Sequence, residues 1–361
     1  MGYKILAINP GSTSTKISLY EDEKEIFTEK LEHPLEVIEK FENVEDQLHM
    51  RKELVMEVLK EKKFDIKELS AVVARGGMLP PVNPGAYMIN ELMVDRVENR
   101  PVMEHASNLA APIAFEIARQ VGVPSYIYDS VMSDELPDIA HISGMPDLPR
   151  TSSSHVLNTR AMAIKAAEER GKKYEDMNII VAHLGGGISI NIHEKGRIVD
   201  LVSDDEGPFS PERAGGVPCR ELINLCYSGR YDKKTMQRKL RGNGGLRAYL
   251  NTIDVRDVEK MIADGNEYAK LIFDAMAYQI AKGIGKLATV TEGNVDVIIL
   301  TGGIAHSKML TDKVTKRVSF IAPVEILAGE NEMEALALGA LRVLRGQEQA
   351  REYTPETDSK K

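Results

Sequence analysis

Cysteine is scarce in this chain, with two among 361 residues, Cys219 and Cys226. Neither has a histidine or another cysteine at metal-ligand spacing, so both read as packed thiols rather than as metal ligands. A basic excess is missing too. The formal net charge is -9, and no cluster of lysines and arginines interleaved with aromatics offsets it, which argues against a nucleic-acid partner. An anionic substrate must therefore be held by individually placed cations. No apolar run reaches membrane-spanning length, and the chain enters a strand-like run without a charged leader. No membrane partner and a cytoplasmic location are expected.

What is present describes a globular chain, 43% hydrophobic and 28% charged, long enough that two cores are expected rather than one. Its most organised stretch is 179–191: an apolar run through His183, then Gly185, Gly186 and Gly187, then an alternating run to Asn191. The pattern predicts a strand, a tight turn and an antiparallel strand. Three glycines put no Cβ in the way, so the turn's N–H groups can converge on an anion. Taken alone, the same run also fits an ordinary glycine hairpin. A second strand, turn and strand opens the chain, with 3–8 and 17–20 flanking Asn9, Gly11, Ser12, Thr13, Ser14 and Lys16. The Lys16 ammonium there suits a phosphate as a point charge, the alternative being a solvated hairpin tip. A third strand, 295–300, runs into Gly302 and Gly303.

Helical spacing covers 36–63, with its many charges read as a solvated face. An apolar strand at 69–74 delivers Arg75 into Gly76 and Gly77. His105 opens a helix that Gly122 and Pro124 end, and a strand over 125–129 finishes on the carboxylate of Asp129. Prolines and serines place the domain junction within 140–154, after which His155 opens another helix. The irregular connection 204–218 carries three prolines and Arg213, and loops of that length are more often functional than idle. Residues 268–288 read as the clearest helix, with a core stripe of Leu271, Ala275, Tyr278 and Ile284. Asn331 and Glu332 introduce a last helix in which Ala337, Gly339 and Ala340 permit close packing, and the tail from Glu348 reads as loose. Arg75, His105, Asp129 and His155 each also have a plain reading, as a surface cation, a helix-entry polar residue or the start of a turn.

Together, the two hairpins, the late glycine pair and the Ala-Leu-Ala-Leu-Gly-Ala helix resemble the actin, sugar-kinase and heat-shock-ATPase superfamily. Within it, residues 9–16 and 183–187 resemble the acetate and butyrate kinase family, and the match keeps its order from the first strand to the last helix. The resemblance implies an α/β fold of two ribonuclease-H-like (actin-like ATPase) domains with an interdomain nucleotide cleft. Residues 1–150, completed by the C-terminal helix 331–361, would form the first domain and 151–330 the second, nucleotide-binding one. It also implies ATP or ADP as substrate, Mg2+, a small-molecule carboxylate as acceptor, and a homo-oligomer built on a dimer.

Position by position, Arg75 resembles the arginine that holds the carboxylate. Asp129 resembles the aspartate beside the transferred phosphoryl, and Arg213 and His155 the pair that stabilises the transition state. His105 and His183 match two further active-site histidines, His105 on the substrate side and His183 with the phosphate turn. Asn9 and Glu332 resemble the residues around magnesium. Gly11, Ser12, Thr13, Ser14, Lys16, Gly185, Gly186 and Gly187 fall in the phosphate loops, and Asp254, Arg256, Gly302 and Gly303 in the adenosine pocket. The sequence departs from the acetate kinases in Thr151-Ser152-Ser153-Ser154 before His155, in the short Gly76-Gly77-Met78 after Arg75, and in Gly186 where they have asparagine. These departures point toward the butyrate kinase branch, with acetate or propionate as the alternative acid.

The chemistry follows from charge. A carboxylic acid with a pKa of about 4.3 is already ionised near neutrality and needs no base to become a nucleophile. It needs compensation for approaching a γ-phosphate, and cations and backbone N–H groups supply that. A sugar kinase would instead require a general base, for which Asp129 would serve, but Arg75 would then lack a purpose. A nucleotide-switched ATPase would need a partner-binding module after the last helix, and none is expected here.

Overall fold

A computed structural model describes residues 2–38, 40–329 and 331–359. Met1, Glu330, Lys360 and Lys361, within the expected domain bounds, and Glu39, within the expected long helix, lie outside the described residues. The chain divides into two compact units, Met1–Asp134 with Asn331–Lys361, and Glu135–Glu330.

The first unit is built on a sheet of β1 (Lys4–Pro10), β2 (Ser14–Glu21), β3 (Lys24–Glu32), β4 (Ala71–Arg75), β5 (Ala86–Met88), β6 (Ser125–Tyr128) and β12 (Arg351–Glu352), ordered β12-β5-β6-β4-β1-β2-β3. β1, β2 and β3 form an antiparallel meander, while β4 runs parallel to both β1 and β6. Ile5, Leu6, Ala7 and Ile8 are all fully buried, as a central strand covered on both faces requires. Val55 and Leu59 from helix Leu48–Glu61, and Ile113 and Ile117 from helix Ala110–Val121, pack into this unit's core. The last long helix, Glu332–Leu344, belongs to this unit. A Cβ on its Gly339 would stand 2.5 Å from the Tyr128 ring, so only glycine lets that ring lie flat against the helix.

Three expectations for this unit are corrected. The helical stretch 36–63 is interrupted, with Leu35–Ile38 separated from Leu48–Glu61 by a short 3-10 turn. Asp46 there accepts the amide of Asn43 at 2.9 Å, a local side-chain bond that competes with helix continuation. Nor do the charges of this helix all face solvent, because Arg51 is fully buried. The tail is ordered too: β12 pairs with β5, and Tyr353, 1% exposed, packs in the core while its carbonyl accepts from Asn90.

The second unit carries β7 (Asn178–Leu184), β8 (Ile188–Glu194), β9 (Arg197–Val202), β10 (Val297–Gly302) and β11 (Val324–Ala328), ordered β11-β10-β7-β8-β9. β7, β8 and β9 are antiparallel neighbours, and β10 runs parallel to β7 and β11. The succession β3-β2-β1-β4 of the first unit therefore recurs as β9-β8-β7-β10, with the same strand directions. Helix Glu267–Ala288 packs through Ile272, Phe273, Met276, Ile280 and Ile284. Of the expected stripe, Ile284 is in the core and Ala275 packs against it, whereas Leu271 (61%) and Tyr278 (49%) are exposed. Tyr278 is covered there by the cations of Arg317 and Lys282.

The division falls at Asp134/Glu135 rather than at residue 150. Leu136 and Ala140 pack with Val156, Ile198 and Leu201, and Arg150 donates to Asp200, to the Leu201 carbonyl and to Glu206. The prolines and serines of 140–154 thus mark a loop within the second unit. Cys219 and Cys226 are exposed, on a helix with no buried residue, and so are not packed thiols.

Candidate active site

In the first unit, β1 and β4 end side by side and bring two of the singled-out residues to one carboxylate. Asn9 Nδ2 donates to Glu332 Oε2 at 2.6 Å, and Arg75 Nη1 reaches the same oxygen at 3.3 Å. The Nε of Arg75 is buried and has no partner among the described residues, leaving a cationic donor in want of an acceptor. Lys16 stands opposite Asn9 in the β1–β2 register and makes no ion pair among the described residues. Gly76 and Gly77, just past Arg75, run so close to Ser130 and Asn108 that a Cβ would approach them to 2.6 and 2.9 Å. Asn108 fixes that turn by accepting from Met78 N at 2.8 Å, and His105 Nδ1 caps the same segment by accepting from Ser107 N.

Asp129 follows β6 with φ of 42°, a conformation uncommon for any residue but glycine and asparagine. Its Oδ1 accepts from Gly85 N at 2.8 Å, while its own amide donates to the Gly85 carbonyl. The carboxylate is thus aimed by backbone on both sides at the sheet's carboxyl edge.

In the second unit, the triple-glycine turn is held from behind. Ser210 Oγ donates to the Gly186 carbonyl at 2.6 Å, and Gly185 N to the Gly187 carbonyl at 3.2 Å. The N–H groups of Gly186 and Gly187 make no hydrogen bond among the described residues. Against the turn lies Arg213, so close that a Cβ on Gly187 would be 2.2 Å from its Nη1. Arg213 pairs with the buried Asp204, which Arg241 also approaches at 3.5 Å. Burial pulls the Arg213 guanidinium down from its ordinary pKa, against the opposing pull of Asp204. Burial, with Asp204 next to it, raises the Asp205 carboxyl. The loop is ordered by Ser210 N to Arg213 O, Gly216 N to Gly207 O and Ala214 N to Leu240 O.

His155 immediately precedes helix Val156–Glu169, and its ring stacks on that of His183 at 3.9 Å with 12° between planes. Ser189 Oγ meets His155 Nδ1 at 2.9 Å, and Asn158 Oδ1 meets His183 Nδ1 at 2.9 Å. Gly302, with φ of 90°, ends β10 where a Cβ would strike the Leu184 carbonyl at 2.4 Å, and Gly303 starts the following turn. Asp254 and Arg256 are engaged with each other at the start of helix Val255–Ala263, the arginine side chain 87% exposed. The Asp254 side chain is half-buried, at 34% exposure.

A divalent cation would meet oxygen donors in the first unit, the Glu332 carboxylate and the side-chain carbonyl of Asn9. Among the described residues no group of three or more His, Cys, Asp or Glu side chains could hold a metal. That donor set fits magnesium, which keeps waters and arrives with phosphate oxygens rather than filling an all-protein cage. Several contributors carry no sequence signal of their own: Arg51 behind the first turn, Asp204 on Arg213, and Asn158 and Ser189 on the two histidines. Ser210, within the long loop, is recognisable only by its being in that loop.

One strand succession used twice, each copy opening on a small-residue turn, defines the actin-like ATPase class of α/β proteins. Residues 151–335 match the model of the acetokinase family. The chain is 49% identical to butyrate kinase 1 of Clostridium acetobutylicum over 353 residues, which is 97% of this chain and 99% of that protein. Butyrate kinase 2 of the same organism is 49% identical over 98% of this chain and all of its own. Among solved structures, the acetate kinase of Porphyromonas gingivalis superposes with a TM-score of 0.79 at 21% identity, covering 95% of this chain and 100% of that one. The chain belongs to the acetokinase family. It is a short-chain fatty acid kinase, an enzyme that moves a phosphoryl group between ATP and a carboxylate.

Proposed function

We propose that the acid is butyrate or a branched acid of similar length, that Mg2+ accompanies the nucleotide, and that Arg75 holds the acid's carboxylate. The observation that carries this is the half-satisfied guanidinium of Arg75, with Nη1 on Glu332 and a buried Nε without a partner among the described residues. A carboxylate oxygen supplies the missing acceptor in a charge-assisted bond. Within the first unit, Lys16 and the N–H groups of its turn are donors suited to phosphate oxygens, and within the second, so are the N–H groups of Gly186 and Gly187 and the guanidinium of Arg213. His155, with Nδ1 against Ser189, adds a donor when protonated, and Asp129 orients the reacting group. Glu332 and Asn9 hold the metal, whose charge offsets that of the phosphates.

The preference for a four-carbon acid rests on the relatives named butyrate kinase and on the small residues that follow Arg75. Each methylene taken into an apolar pocket is worth ~1 to 3 kcal/mol, so butyrate should exceed acetate by at least ~10-fold in kcat/KM. Measuring kcat/KM with acetate, propionate, butyrate and isobutyrate tests it, and a maximum at acetate sinks the butyrate assignment. We further propose a cytoplasmic homo-oligomer built on a dimer. Ile223 (56%) and Tyr227 (89%), on and just after a helix without buried residues, suit a second copy. Light scattering of a monomer at assay concentration would refute the dimer. No described helix is long and apolar enough to cross a membrane.

A further inference from the structure

Behind the first turn lies a charge that the reaction as described above does not use. Arg51, from helix Leu48–Glu61, is fully buried. Its Nη1 donates to the carbonyls of Gly11 (2.8 Å) and Ser14 (3.2 Å) and to Thr15 Oγ1 (3.2 Å), and its Nη2 to the carbonyl of Ser12 (3.1 Å). Gln47 Oε1 clamps the other side of the guanidinium, accepting from Nη2 at 2.8 Å and Nε at 3.1 Å. The remaining carbonyl of the turn, that of Thr13, accepts from His33 N at 2.7 Å.

The carbonyls of residues 11 to 14 are therefore all bound, three of them by one side chain. The N–H groups of Ser12 and Thr13 make no hydrogen bond among the described residues. A peptide unit whose oxygen is drawn back presents its N–H forward, and successive N–H groups so arranged form an anion-binding concavity. No carboxylate comes within ion-pair distance of Arg51 among the described residues. Burial pulls its pKa down to about 10, which leaves it protonated near neutrality. Its charge is compensated by carbonyl and hydroxyl dipoles and by no carboxylate among the described residues, and a net positive field remains at the turn.

We propose that Arg51 is a positioning residue for phosphoryl transfer, holding the β1–β2 turn with its carbonyls drawn back so that Ser12 and Thr13 present their N–H groups to a nucleotide phosphate. This rests on the reading of that turn as a phosphate site. Lysine keeps the charge but cannot fork across three carbonyls, because its ammonium is a single point on a flexible stem.

The test compares Arg51→Lys and Arg51→Met with the parent enzyme by thermal midpoint, calorimetric affinity for ADP and for adenosine, and KM for ATP and for the acid. The expected result is a loss of ten-fold or more in ADP affinity for Arg51→Lys, with adenosine affinity and the acid's KM within two-fold of the parent. A purely structural arginine would weaken ADP and adenosine alike, and that outcome overturns the proposal. A folded Arg51→Lys enzyme with parental ADP affinity also overturns it, so the test does not depend on the folding of Arg51→Met. Lys16→Ala separates the two layers of inference. If it leaves ADP affinity unchanged, the turn is not a phosphate site. If it weakens ADP while Arg51→Lys does not, only the role of Arg51 fails.

Discussion

A single methyl group at Gly187 should damage catalysis without damaging the fold. Gly187 lies outside the left-handed backbone region, so alanine meets no conformational strain there. The added Cβ would sit 2.2 Å from Arg213 Nη1 and 2.5 Å from its Cζ, whereas carbon contacts settle near about 3.5 to 4.0 Å. The guanidinium must retreat by about 1 Å or more. It can do so because it is the far end of a flexible side chain, but Asp204 and the glycine turn limit where it goes. A misplacement of about 1 Å in a charge that stabilises a transition state costs ~10²-fold in rate. Gly187→Ala should therefore lower kcat by about two orders of magnitude, with the KM for ATP changed by less than about three-fold and the thermal midpoint nearly unmoved. Initial rates of acyl phosphate formation and a melting curve suffice. Parental kcat would show that Arg213 does not need its present place, and a large fall in the melting point would show that the turn, not the arginine, absorbs the methyl.

Arg213→Ala should go further, lowering kcat by ~10³ to 10⁵ while ATP binding, measured by calorimetry, is little changed. Arg75→Ala should raise the KM of the acid, and a rise confined to the KM for ATP would reassign the residue. Gly302→Ala should cost about 1 to 3 kcal/mol of stability, since φ of 90° disfavours a side chain and the Cβ meets backbone that cannot retreat; an unchanged denaturation midpoint would refute this. Burial pushes His33 down to about 4, and Arg51 adds to the effect. Folding thus keeps it neutral where the unfolded chain, with a pKa of about 6.5, would bind a proton. Stability should be full above about pH 6.5 and decline as the pH falls toward 4, and His33→Gln should flatten that slope in denaturation curves.

What could be read in advance was local. The two hairpins are visible because glycine runs and alternating apolar residues act over a few positions, and Arg75, Asp129, His155 and His183 stand at element ends that those patterns fix. Arg51 was illegible because the carbonyls it serves lie 37 to 40 positions away in sequence, and within its own helix it is one charge among many. Tyr353 was lost in a polar tail for the same reason, since its strand pairs with β5, far earlier in the chain. The prolines and serines of 140–154 did announce irregular backbone. Whether such backbone separates two bodies or crosses one depends on partners such as Asp200 and Leu201, which composition does not reveal. Arg213 was legible as a cation on a stiff loop, whereas Asp204 looked like any loop acid.

The first unit is made of two stretches of chain separated by the whole of the second. During synthesis the ribosome releases β1, β4 and β6 long before Glu332, the residue that joins Asn9 to Arg75, and before Gly339 can seat against Tyr128. The contiguous second unit has everything it needs to fold as soon as it emerges, but in the first the face of β1, β4 and β6 that packs against helix Glu332–Leu344 must wait uncovered. Premature termination anywhere before the last helix should therefore yield chains that are inert and that occupy chaperones or proteases. Catalytic competence is acquired only once helix Glu332–Leu344 has left the tunnel.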